Sequence, residues 1–270
     1  MNGASLRSVN LWIFVFVVVT GSAVYQRVTG PTYPVNGHFR IGANDIKFSF
    51  PRSFAGEGDA EFLLFAPDAR IGGIVETMRL KSQDGWNRRD LVRSGDYLAG
   101  KIPHQPPAGK VAYRVYLYGG ADPGWLTPNP VILRFKGDVP AAIMIPHIFV
   151  MFVAMLFSTR AGLEAILNRP NVLSLTVWTT ISLAIGGLIL GPVVQKLAFG
   201  AYWTGWPFGK DLTDNKTVVA FLFWAVALWR QLKQRTSKWW VVAAAVALLI
   251  VFLIPHSLLG SELDYQAPSG

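Results

Sequence analysis

The chain has 270 residues, of which 51% are hydrophobic, 13% aromatic and only 15% charged, and its mean hydropathy is +0.34. Soluble domains carry about 25% charged residues, so this composition argues against a soluble cytosolic protein and predicts a membrane protein. The absence of cysteine excludes disulfides, thiolate metal sites, iron–sulfur clusters and haem attached through cysteine.

Five apolar segments are predicted to cross a bilayer, which takes about 20 apolar residues per helix. They are Leu11–Tyr25, Ala141–Ser158, Val172–Val194, Asp214–Arg230 and Trp239–Leu259. The first segment is short and ends in small residues, so it is either an uncleaved anchor over residues 1–27 or a cleaved signal peptide. The other four form a predicted four-helix transmembrane domain over residues 139–260, followed by an extracytoplasmic tail over residues 261–270.

The basic residues predict the orientation of these segments. Lys and Arg number 25 against 16 Asp and Glu, a net charge of +9. With the N-terminus inside, residues 1–10, 159–171 and 230–238 are inner segments that hold seven basic residues and one acidic residue, a net charge of +6. This distribution follows the positive-inside rule and predicts a bacterial inner (cytoplasmic) membrane protein with its main domain outside. The basic excess therefore indicates topology, and no nucleic-acid partner is expected.

Residues 28–138 are predicted to form an extracytoplasmic β-sandwich, because short alternating runs are separated by turn clusters. The runs are Asp45–Phe50, Glu61–Phe65, Ile71–Leu80, Val111–Tyr118 and Val131–Phe135. The stretch Gly95–Tyr118 resembles fibronectin-type and immunoglobulin-like extracellular modules, which implies a sandwich. Since the domain shows no nucleophile signature, it is interpreted as a docking or spacer module. His38 and His104 have no spacing that links them to other ligands and are interpreted as surface histidines. No Gly-x-Ser-x-Gly signature is present, so a hydrolase is not indicated.

Two histidines lie in the predicted membrane segments and share one sequence context. They occur as Ile145-Pro146-His147 and Ile254-Pro255-His256, at similar predicted depths near the outer ends of their helices. Ionisable residues inside a membrane usually face a bundle interior or a site, and imidazole is a common axial ligand of haem iron. The alternative is that each histidine hydrogen-bonds a neighbouring helix or lies among lipid headgroups.

The loop between the third and fourth predicted spans, residues 195–216, returns to the same outer face. It contains Phe199, Tyr202, Trp203, Trp206 and Phe208 together with Gly200, Gly205 and Gly209. Glycines would allow the backbone to approach a flat partner, and the aromatic rings would stack on it. Asp211, Thr213 and Asp214 are candidate N-caps of the next helix. The alternative is an interfacial aromatic belt that contacts lipid.

The order of histidine, aromatic loop ending in Asp, and histidine resembles the haem-handling membrane proteins of cytochrome c biogenesis, which carry a tryptophan-rich loop between two external histidines. The residues that align are Phe199–Trp206 and then Asp211, with Phe199 in place of the leading Trp, Gly205 inserted, and four residues before Asp211. The resemblance implies that His147 and His256 ligate haem iron. It also implies that Tyr202, Trp203 and Trp206 form a stacking shelf and that Asp211 orients the loop.

The sequence therefore predicts a membrane α-helical bundle of about five helices with an inserted β-sandwich, binding haem at the outer face for haem handling or cytochrome assembly. The rival hypothesis is a non-catalytic accessory subunit of a larger membrane complex, of respiratory or photosynthetic type, that docks through the sandwich and the aromatic loop. Membrane lipid and an extracytoplasmic or membrane protein are the expected partners. Neither hypothesis describes a classical enzyme.

Overall fold

The computed structural model describes residues 3–233, 238–255, 260 and 262–266, with side chains from residue 8 onward. Two compact units divide the chain. The helical unit comprises residues 1–31 and 139–261, and the β unit comprises residues 32–138 and 262–270. Each unit draws on two separate stretches of the chain, because the β unit is inserted after the first helix and takes in the C-terminal tail.

The part of the helical unit that the structure describes contains five helices. They are α1 (Gly3–Thr29), α2 (Ala141–Ile166), α3 (Val172–Phe199), α4 (Leu212–Lys233) and α5 (Lys238–Leu253). Of these, Ser8–Thr29, Ala141–Ile166 and Val172–Phe199 are long and apolar enough to cross a membrane. Helix α5 is apolar but has 16 residues, and α4 carries Asp214, Lys216, Arg230 and Lys233 within its 22 residues.

All five described helices contribute to one apolar cluster, α3 through Leu175 and Leu183. Val15 and Val19 of α1 are fully buried in it, beside Met155 of α2, Trp224 of α4 and Leu248 of α5. The first helix is therefore part of the packed helical unit.

Helix α2 extends eight residues beyond the predicted end of its span. Arg160 and Glu164, which the sequence assigned to an inner loop, lie inside the helix and are almost fully buried. The loop prediction for these two residues is wrong. The helix can continue through them because their charges neutralise each other: Arg160 Nη2 donates to Glu164 Oε1 at 2.6 Å, one helical turn away.

The described residues of the β unit form eleven strands. They are β1 (Val35–Ile41), β2 (Asn44–Phe50), β3 (Ser53–Ala55), β4 (Ala60–Phe65), β5 (Gly72–Arg79), β6 (Asn87–Asp90), β7 (Val92–Ser94), β8 (Tyr97–Ile102), β9 (Lys110–Tyr118), β10 (Gly124–Trp125) and β11 (Val131–Lys136). The five predicted runs correspond to β2, β4, β5, β9 and β11. All five lie within a residue or so of their predicted positions, because one face of each is buried.

These strands form three sheets around one core. Strands β1 and β2 pair as a hairpin, β4, β8 and β7 form a three-stranded sheet, and β3, β11, β9, β5 and β6 form the largest sheet, with β10 added on β9. The pairing is antiparallel except between β3 and β11. Tyr113 of β9 is fully buried in the common core, where it packs against Phe50 and Phe62.

Candidate functional site

His147 lies on α2, and its ring contacts a widened turn of α3. The Nδ1 atom is 3.0 Å from the carbonyl oxygen of Gly186, and the side chain is partly buried. A carbonyl oxygen can only accept, so the proton of a neutral ring lies on Nδ1, and Nε2 keeps its lone pair. Among the described residues Nε2 has no hydrogen-bond partner. This is the arrangement in which histidine commonly binds a metal: one nitrogen donates to a carbonyl and the other ligates.

The second predicted ligand, His256, lies outside the described residues. The chain just before it is held by two other helices. Lys216 Nζ of α4 donates to the Ile254 carbonyl at 2.6 Å, and Gln26 Nε2 of α1 donates to the Phe252 carbonyl at 2.5 Å. These bonds satisfy carbonyl groups at the end of α5 that have no partner within the helix.

The aromatic loop begins where α3 ends at Gly200, which has a φ of +87° and so adopts the left-handed conformation that ends many helices. Within the loop, Tyr202, Trp206 and Phe208 are 59%, 78% and 84% exposed. Trp203 is partly buried, and its Nε1 donates to the Trp206 carbonyl at 3.1 Å. The Trp206–Pro207 peptide bond is cis. The loop thus presents three rings outward on a backbone that is internally bonded.

Asp214, in the first turn of α4, anchors this loop. Its Oδ2 accepts from the backbone N–H groups of Thr204 at 2.7 Å and Gly205 at 2.9 Å, and from Gln195 Nε2 at 3.0 Å. The neighbouring Asn215 accepts from the Trp206 N–H at 2.7 Å. Sequence reasoning missed this role, although the signal was present: acidic and amide side chains in a first helical turn directly after a glycine-rich loop.

Asp211 is buried and caps α4. Its Oδ1 accepts from the Thr213 N–H at 2.8 Å, so the cap is Asp211 among the three predicted candidates. Its Oδ2 is 3.4 Å from the Thr204 hydroxyl, and its backbone N–H donates to the Thr204 carbonyl. Most of the bonds that orient the loop come from Asp214, and Asp211 joins the loop to the start of the helix.

Two glycines of the loop allow it to pack against the chain itself. A Cβ at Gly205 would be 2.6 Å from Asp214 Cβ, and a Cβ at Gly209 would be 2.2 Å from the Thr204 carbonyl oxygen. The sequence interpretation had these glycines approach an external flat partner. The close approach that the structure shows is internal to the loop and α4.

The structure does not join all the predicted site residues. Among the described residues, no hydrogen bond or ring contact connects His147 to Tyr202, Trp203 or Trp206, and no group of three or more His, Asp or Glu side chains could hold a metal ion. The histidines of the β unit are both exposed: His38 faces Asp45 at 3.3 Å, and the His104 ring is 2.9 Å from the Gly58 carbonyl. Comparison with protein-family models and with curated proteins finds no match for this chain.

Proposed function

We propose that this chain is an integral membrane protein that binds haem at its outer face, in haem handling or cytochrome assembly. The supporting observation is the ring of His147, whose Nδ1 is occupied by the Gly186 carbonyl while Nε2 has no partner among the described residues. In this proposal His147 holds the iron through Nε2 and His256 is the second ligand. Bound haem supplies an iron centre that can change its oxidation state.

The proposal includes a membrane topology. Residues 1–10 and the connections around residues 167–171 and 234–237 lie in the bacterial cytoplasm, and the β unit, an immunoglobulin-like sandwich, lies outside. Three helices of sufficient length and apolarity support membrane insertion. The excess of basic residues in the inner segments supports the orientation.

The aromatic loop has a defined part in this proposal. Tyr202 and Trp206 expose ring surface, and Asp214 and Asn215 hold the backbone that carries them. A rigid loop presents its rings with little loss of conformational entropy on binding, which favours stacking on a planar ligand. Asp211 contributes by fixing the start of α4 under the loop.

The test is the visible spectrum of the purified full-length protein, supplied with haem in detergent. We expect a Soret band that is lost in His147→Ala and in His256→Ala, with the far-ultraviolet circular dichroism unchanged. His38→Ala is the matched control because His38 is an exposed histidine of the β unit. Equal haem content in the wild type, the control and both test variants would contradict the proposal.

A second function is favoured by a different observation. Trp206 and Phe208 are the most exposed large hydrophobic side chains of the loop, at 78% and 84%. Such residues suit a non-catalytic accessory subunit whose loop contacts a partner protein or lipid in a larger membrane complex. A wild type that shows no Soret band and co-purifies with a partner, together with loss of that partner in Trp206→Ala/Phe208→Ala, would favour this second function.

A further inference from the structure

The widened turn opposite His147 is a π-helical segment of α3, Ala184–Leu190. At its end the Gly191 N–H donates to the Gly186 carbonyl, five residues back rather than four. The same carbonyl oxygen accepts from His147 Nδ1 at 3.0 Å. One oxygen, with two lone pairs, therefore joins the end of the π segment to the proposed ligand histidine.

Pro192 explains why the segment lies where it does. Proline has no N–H, so residue 192 cannot donate to the Leu188 carbonyl, and its ring crowds that carbonyl in a regular α-helix. Proline is tolerated at the start of a helix, where α-helical bonding resumes after the π segment. Pro192 thus favours the wider turn immediately before it.

Two glycines allow α3 to approach its neighbours at this point. A Cβ at Gly186 would be 2.8 Å from Met151 Sδ of α2, and a Cβ at Gly187 would be 2.8 Å from Thr217 Cγ2 of α4. Met151 is one helical turn after His147, so the contact with Gly186 and the hydrogen bond from His147 involve the same face of α2. An alanine at residue 186 would require a shift of the Met151 side chain or of α3, beside His147.

We propose that Gly186 and Pro192 are positioning residues for His147, and that the π segment holds its ring in the tautomer with Nδ1 protonated and Nε2 free to ligate. This inference rests on the proposed function, because it names the ligand atom of the same site. In many metal–histidine sites the ring nitrogen that does not bind the metal donates to a carboxylate or a backbone carbonyl. Here the Gly186 carbonyl of α3 would be that acceptor.

The experiment is ¹⁵N nuclear magnetic resonance of the haem-free, full-length protein labelled on histidine, with the signal assigned by His147→Gln. The wild type should show a protonated Nδ1 and an unprotonated Nε2 at His147. In Pro192→Ala and Gly186→Ala the tautomer ratio should move toward the Nε2-protonated form by about fivefold to tenfold, the equivalent of one hydrogen bond. Gly162→Ala is the matched control, since its Cβ would be 2.8 Å from Ala245 Cβ, away from the π segment.

A wild-type ring with its proton on Nε2 would overturn the inference, and this result does not depend on whether Pro192→Ala or Gly186→Ala folds. An unchanged tautomer ratio in both folded variants would also overturn it. Haem titration then separates the inference from the proposed function. If the His147 ring is protonated on Nδ1 but the protein shows no Soret band, only the proposed function is contradicted. If the protein binds haem but its haem-free form carries the proton on Nε2, only the positioning role is contradicted.

Discussion

At the scale of single residues, the buried hydroxyl of Tyr113 contributes to the stability of the β unit. Its hydroxyl donates to the Pro51 carbonyl at 2.9 Å, and burial raises the pKa of the phenol above its usual value of about 10. The folded state therefore binds this proton more tightly than the unfolded state. The associated stability is complete below pH 10 and is lost as the pH rises through the folded pKa.

We expect Tyr113→Phe to lower the free energy of unfolding of the β unit by about 1–2 kcal/mol at pH 7, because the Pro51 carbonyl loses its donor. Above pH 10 the free energy of unfolding of the wild type should fall by about 1.4 kcal/mol per pH unit through ionisation of Tyr113, and the variant should not show this decrease. Denaturant unfolding followed by near-ultraviolet circular dichroism measures both effects. Tyr116→Phe, on the outward face of the same strand, is the control; an equal effect there would contradict the prediction.

Asp214 is the second residue whose contacts predict a measurable effect. Asp214→Ala should leave the Thr204 and Gly205 N–H groups and Gln195 without their shared acceptor, so the loop should open locally. Hydrogen bonds to a charged group contribute about 1.5–3 kcal/mol. Hydrogen exchange at Thr204 and Gly205 should therefore accelerate by about tenfold to a hundredfold. Lys210→Ala, at an exposed position of the loop, should leave these amides protected, and unchanged protection in Asp214→Ala would refute the anchoring role.

At the scale of elements, the end of α2 depends on a buried ion pair that also contacts α1. Arg160 donates to the carbonyl and the hydroxyl of Ser8, at 3.1 Å each, and its guanidinium lies 5.0 Å from the centre of the Trp12 ring. Glu164 Oε1 accepts from Arg160, and Arg169 approaches it at 3.9 Å. The pair thus joins the first helix to the second.

We expect Arg160→Met to destabilise the helical unit by about 3–5 kcal/mol, because it leaves Glu164 buried without its main partner. The double variant Arg160→Met/Glu164→Met should recover most of that loss, since two apolar side chains need no counter-charge. A graded titration with denaturing detergent, monitored by circular dichroism, measures the unfolding of the single and the double variant. A double variant no more stable than the single one would contradict this account. The exposed pair Lys101 and Glu61 provides the control, and Glu61→Ala should leave unfolding unchanged.

At the scale of the whole molecule, residues 262–266 form a clasp on the β unit. The Leu263 N–H donates to the Ala108 carbonyl at 3.1 Å, and the Tyr265 hydroxyl donates to Gln105 Oε1 at 2.7 Å. Glu262 lies 3.2 Å from Lys81 and 3.4 Å from Lys110. The tail after the last helix is therefore part of the β fold.

Removing one side chain of the clasp tests its contribution. Tyr265→Ala should lower the free energy of unfolding of the β unit by about 1–3 kcal/mol, because it removes the hydrogen bond to Gln105 and leaves that buried side chain with one partner fewer. Thermal unfolding of the full-length protein gives the measurement. Asp264→Ala, at an exposed position between two clasp residues, should have little effect; a matching loss in both variants would contradict the specific role of Tyr265.

The clasp also restricts the membrane topology. The β unit contains residues 32–138 and residues 262–266, so in the proposed topology the chain between them crosses the membrane an even number of times. Helices α4 and α5 therefore either both cross or both remain on one side. In the proposed topology, where α2, α3, α4 and α5 all cross, we expect compartment reporters fused after Ser237 and after Gly270 to give opposite locations. One shared location would mean that α4 and α5 do not cross.

The sequence by itself determined the features that depend on local patterns. Apolar runs located the centres of the helices, and alternation located five of the strands. The cap candidates from Asp211 to Asp214 located the start of α4 to within three residues, because periodicity and capping act over a few residues. Only the tertiary structure decided the end of α2, the anchor of the loop and the place of the tail. Arg160 and Glu164 are typical loop residues by sequence, and only their contact in the folded chain gives each a counter-charge inside the helix. Asp214 can anchor the loop only because the fold places the N–H groups of Thr204 and Gly205 against it. Partners that are separated in sequence carry no periodic signal, so these contacts exist only after folding.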